Sequence, residues 1–143
     1  MAAAARDWLA GFLGERTPGA LGRPLATLPR FQAAVGEIAA ALTGADDLVD
    51  ALALRVDAGD GTVAGHPAIA KLIATRAAIG AVEQAVALVG NNALTRKNPL
   101  ERHYRDVLCA RVHTPQDDTI LATAGRAALA VDRRNTTKTT GAR

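Results

Sequence analysis

Serine is absent from all 143 residues, and with it goes Ser-His-Asp nucleophilic catalysis. Cysteine occurs once, at Cys109, so no internal disulfide can form and the chain suits a reducing cytoplasm; the thiol itself is expected in the core. Aromatic residues make up only 3% of the chain against a hydrophobic fraction of 49%. Alanine, leucine and valine supply most of that fraction, a balance that favours closely packed helices over a sandwich or barrel. No long apolar run opens the chain either. MAAAARDWLAGFLGER is interrupted by Arg6, Asp7 and Glu15 and is too short for a signal peptide or a membrane span. A cytoplasmic protein without membrane association is therefore expected. The glycine clusters at Gly59 and Gly90 do not follow predicted strands, so the Rossmann and P-loop readings lack the context they need.

Charge is scarce in the folded part once it is located. Arg133, Arg134, Lys138 and Arg143 stand against Asp132 in residues 132–143 and account for the whole formal charge of +3. The first 131 residues hold 13 basic and 13 acidic side chains, which argues against nucleic-acid binding, an affinity built from clustered phosphate contacts. A chain of this length buries one core.

What is present is helical patterning. Ala2 to Glu15 reads as a short helix with Trp8, Leu9, Phe12 and Leu13 on one side, ended by Thr17-Pro18-Gly19. Nothing upstream caps it, so it is expected to be the end of a longer helix. A second helix runs from Pro29, after Thr27 or Leu28, to about Ala58. Phe31, Val35, Ile38, Leu42, Ala45, Val49, Leu52 and Val56 form its seam. A third begins near His66-Pro67 and stops at Gly90, with a broad apolar surface and small residues that permit close approach. Asn98-Pro99 starts a fourth, from Leu100 to about Val112, and Thr114-Pro115 a fifth, carrying Ile120, Leu121 and Leu129. The expected architecture is all-α: an up-and-down four-helix-bundle-type domain over 1–131 with a short N-terminal helix, followed by a disordered basic tail at 132–143.

Few residues offer chemistry. Cys109 and His113 lie one helical turn apart, but a zinc site needs three or four ligands and no others share the spot, so no metal is expected. The dense polar run Arg96 to Asp106 sets Arg102 and Arg105 beside Glu101 and Asp106, an arrangement that suits an ion-pair network on a helix.

The order of these segments resembles the C-terminal helical domain of acyl-CoA dehydrogenases. The resemblance covers Arg16 to Leu129: ERTPGALGRPLATLPRFQ leading into a long helix, AIAKLIATRAAIGAVEQAVALVGNNAL with its glycine stop, and PLERHYRD, the most specific part. It implies a bundle that packs against an N-terminal helical domain and a middle β-domain, binds FAD between them, and forms oligomers. By position, Arg16 matches the arginine that reaches flavin phosphate on a neighbouring subunit. Gly90 and Asn91 match paired glycines that let the backbone approach the cofactor's ADP part; an asparagine there can take a left-handed conformation, although its side chain crowds the ligand. The usual glutamine three residues before that pair is Ala87.

The family often places a catalytic glutamate eight residues beyond the aspartate of Arg105-Asp106. That position is Thr114, which cannot abstract an acidic C–H proton at neutral pH. His113 is adjacent, and a histidine in this stretch also occurs in the flavin-dependent monooxygenases of the same fold, which makes it a candidate for such a site. With no β-domain to cover the isoalloxazine, the chain alone is expected to hold FAD negligibly and to be inactive. Three functional readings follow. One is an acyl-CoA dehydrogenase-like domain, truncated or paired with a subunit that carries the missing domains. Another is a non-enzymatic helical module that forms a homo-oligomer, and the third is part of a two-component flavin-dependent monooxygenase.

Overall fold

The computed structural model describes residues 1–139, with side chains as far as Ala130. Five α-helices follow one another: α1 (Ala2–Glu15), α2 (Pro29–Asp57), α3 (His66–Val89), α4 (Leu100–Leu108) and α5 (Asp117–Thr139). Short 3-10 turns precede α2 and join the later helices, and no strand occurs among the described residues. The expected tail at 132–143 falls where side chains, and from residue 140 the backbone as well, lie outside the described residues.

Local chemistry sets the boundaries. Pro29 opens α2 in the first turn, where its missing N–H costs nothing, and Leu28 precedes it in extended conformation. Thr27 caps nothing; its hydroxyl donates to the Pro24 carbonyl at 2.8 Å. Gly65, at φ 89°, turns the chain into α3, and Gly90, at φ 67° and ψ −145°, stops it. Asn98 starts α4 as expected: its Oδ1 accepts from the Leu100 N–H at 3.0 Å, while its Nδ2 donates back to the Asn92 carbonyl at 2.6 Å. The α-helix of α4 ends at Leu108 and the chain tightens to a 3-10 turn through Val112.

The start of α5 differs from expectation. Thr114-Pro115 does not begin it; the helix begins at Asp117, and its first backbone bond runs from the Ile120 N–H to the Gln116 carbonyl at 3.1 Å. The Thr119 N–H, which a helix starting one residue earlier would aim at the Pro115 carbonyl, lies instead on Asp118 Oδ1 at 2.7 Å, and the Lys71 ammonium donates to that carbonyl at 2.6 Å.

The first four helices make the bundle. Leu9 and Leu13 of α1, Ile38 and Leu42 of α2, Ile79, Val82 and Ala85 of α3, and Leu100 and Val107 of α4 share one core. Trp8 and Phe12 stack at 5.4 Å on its edge. α2 and α3 run antiparallel, with Gln84 donating to Glu37 at 2.9 Å across them. α3 touches all four other helices. His66–Leu94 is long and apolar enough to cross a membrane, a test that the core helix of a bundle also passes, and 33% of its apolar window is buried here.

The seam of α2 is buried only in part. Phe31, Ile38, Leu42 and Ala45 are inside, but Val49 and Val56 are 44% and 49% exposed. Length explains this: at 1.5 Å per residue α2 is about 43 Å long and α1 about 21 Å, so α1 cannot reach the far half. Cys109 is also a correction, because it lies exposed rather than in the core. It sits just past the end of α4, where Val107, two residues earlier, is the one that turns inward.

Candidate functional site

The residues of interest fall at the two ends of α3. At its C-terminal end, Gly90 holds a backbone conformation that side chains oppose. A Cβ built there would meet nothing within 4 Å, so backbone shape and not crowding requires the glycine, and the face beside it is open. Asn91 is not left-handed, since no non-glycine residue among those described has positive φ. It continues into a right-handed 3-10 turn with its side chain exposed. That corrects the expected conformation, because Gly90 alone makes the reversal.

Arg16 belongs to the same end. It follows α1, its N–H donating to the Phe12 carbonyl at 2.9 Å and its carbonyl accepting from the Leu25 N–H at 3.0 Å. These bonds fold the connector back toward the start of α2, which lies beside the end of α3 because the two helices are antiparallel. The Arg16 side chain is exposed and has no ion-pair partner among the described residues. Ala87, one turn before Gly90, is exposed and presents no amide.

The other end carries His113 and Thr114, both exposed. Gly90 follows Lys71 by 19 positions along α3, about 28 Å at the α-helical rise, so the structure does not bring the two sets together. Lys71 Nζ donates to the His113 and Pro115 carbonyls, each at 2.6 Å. Arg76 Nε pairs with Asp117 Oδ2 at 3.1 Å, and Arg111 with Glu83 Oε1 at 2.9 Å. The second oxygen of Asp117 is buried without a partner. Arg76, Ile79, Gly80, Glu83, Arg111 and Asp117 line a polar cleft between α3 and the connector. None of these pairings had a signal in the sequence, since their members lie 28 to 44 residues apart.

The polar run on α4 is an ion-pair network, with Arg105 on Glu101 at 2.8 Å and Arg102 on Asp106 at 3.5 Å. Glu101 raises the Arg105 pKa further above its ordinary value. No three His, Cys, Asp or Glu side chains among the described residues converge as metal ligands.

This arrangement is a helical bundle with an open glycine stop at one end and a pinned turn at the other. Residues 1–117 match the family described as acyl-CoA dehydrogenase, C-terminal domain. A protein of Bacillus subtilis (strain 168), provisionally named acyl-CoA dehydrogenase YdbM, is 33% identical over 123 residues, covering 85% of this chain and 32% of that protein. Butyryl-CoA dehydrogenase from Megasphaera elsdenii shares the fold, with a TM-score of 0.81 at 23% identity over 90% of this chain and 33% of its own. So does an FAD complex of PigA, at TM-score 0.78 and 15% identity over 89% of this chain and 32% of that one. The chain belongs to the acyl-CoA dehydrogenase family and corresponds to its C-terminal domain. It spans about a third of the length of the relatives it matches.

Proposed function

We propose that this chain is the helical domain of an FAD-dependent acyl-CoA dehydrogenase-type oxidoreductase, and that it completes a cofactor site built mainly by other domains, on the same longer polypeptide or on a separate subunit. The observation that carries this reading is the Gly90 stop: a glycine-only conformation with open space beside it in a chain of this family. Arg16 and Gly90 fit the phosphate and ADP parts of FAD, one by its free guanidinium and the other by permitting close backbone approach. Asn91 and Ala87 contribute less than their counterparts, the first by bulk and the second for want of an amide. FAD, when bound, supplies hydride or electron transfer; the residues derived above supply only contact and position. The chain by itself is inactive and holds no flavin stably.

At the other end, the reaction needs a base that Thr114 cannot be. A second reading, a component of a flavin-dependent monooxygenase, draws on the exposed imidazole of His113 beside that position. Oligomerisation is part of the proposal, through Val49 and Val56 of α2 and Ile69 and Ile73 of α3, all at least 38% exposed. So is a cytoplasmic location, which suits an exposed lone thiol.

Flavin-fluorescence titration tests the central claim. The isolated chain is expected to leave FAD emission unchanged at micromolar concentrations, and mixing with a flavoprotein partner from the same source is expected to yield a complex. Stoichiometric micromolar binding by the chain alone would overturn the first expectation. An assembly that forms without partner or flavin would favour the non-enzymatic module.

A further inference from the structure

We propose that Lys71 is a positioning residue for the turn that carries His113 and Thr114; the use of that turn rests on the reading of it as the part of the chain facing the reacting centre. One ammonium donates to the carbonyls of His113 and Pro115, both at 2.6 Å. The His113 carbonyl belongs to the peptide that joins it to Thr114 and the Pro115 carbonyl to the peptide that joins it to Gln116, so a single side chain ties the backbone on both sides of Thr114. Nothing else in the turn does so by packing: Arg111 to Gln116 are all exposed. The neighbouring pairs Arg111–Glu83 and Arg76–Asp117 hold the connector at its two ends, but their side chains are 34–58% exposed. Pairs of that kind hold geometry weakly. Lys71 is half-buried, and charge-assisted bonds to carbonyls are shorter and stronger than neutral ones.

A lysine that served stability alone would anchor packed structure, whereas this one anchors an exposed turn whose side chains bury almost nothing. Its removal should therefore loosen the turn and leave the core as it was. Salt separates the tie from its neighbours, since carbonyl acceptors are uncharged and insensitive to screening that weakens exposed ion pairs.

The experiment is backbone 15N relaxation on the isolated chain and on Lys71→Met and Lys71→Arg, with melting curves for each. Order parameters at Thr114, Gln116 and Asp118 are expected near about 0.85 in the parent and to fall below about 0.6 in Lys71→Met. Those in α1 and α2, and the melting temperature, should hold. Lys71→Arg should restore most of the rigidity, and added salt should not loosen the parent turn. Unchanged order parameters in Lys71→Met, loosening spread through α1 and α2, or a parent turn released by salt alone would overturn the proposal. Because no flavin enters this measurement, a failed cofactor reading shows in the titration and leaves the relaxation result intact.

Discussion

Asp60 is held ionised by its neighbours. The Thr62 N–H and hydroxyl donate to Oδ1 at 2.9 and 2.6 Å, and Arg55 approaches Oδ2 at 2.9 Å. The Thr62 bonds come first in lowering its pKa from 3.8 to about 2, with Arg55 adding to them. A carboxylate whose folded pKa lies below its unfolded value contributes stability that is present above the unfolded pKa and lost as pH falls through the folded one. The α2–α3 corner should hold at neutral pH and weaken between 3.8 and about 2. Carboxyl 13C titration should give a midpoint near the lower figure, and Thr62→Val should move it upward. At Gly90 the prediction is steric: Gly90→Ala should cost about 1–3 kcal/mol in denaturant unfolding. Asn91→Ala should stay within about 0.5 kcal/mol, because the residue is exposed and unstrained. The glycine stop was legible from its place after an apolar helix. The conformation of Asn91 was not, since it depends on the chain resuming a right-handed turn immediately after the reversal.

At the scale of helices, the apolar period of α2 was legible throughout its length, but which half is covered was not. Coverage depends on the length of α1, a tertiary fact. Ile38, 1% exposed, and Val56 occupy the same seam with opposite consequences. Ile38→Ala should destabilise by about 2–5 kcal/mol, and Val56→Ala by no more than about 0.5 kcal/mol in a monomer, both read from chemical denaturation. The start of α4 was readable because Asn98 caps locally. The start of α5 lies two residues past Pro115, beyond what the Thr-Pro pair signals, and the turn before it is tied to a lysine more than forty residues away. Local signals fix boundaries where the partner is local.

The whole molecule is organised around α3, which packs on every other helix and carries the residues of interest at its two ends. The class of fold was legible because alanine-rich helices with few aromatics leave few alternatives. Of the candidate site, Arg16, Gly90 and His113 were identifiable only by position. Their separation by the length of a helix, and the polar ties at the far end, needed three dimensions. The uncovered halves of α2 and α3 predict association: size exclusion with light scattering should return an oligomer, and Val49→Asp with Ile73→Asp should shift it toward monomer.

α5 stands apart in this scheme, for its main neighbour is α3 and Ile120 is its one fully sheltered side chain among those described. A protease that nicks the exposed stretch 113–116 would thus detach α5 without opening the bundle. The surviving fragment should melt as a single cooperative unit, and the body of the protein would tolerate foreign sequence grafted beyond the cut.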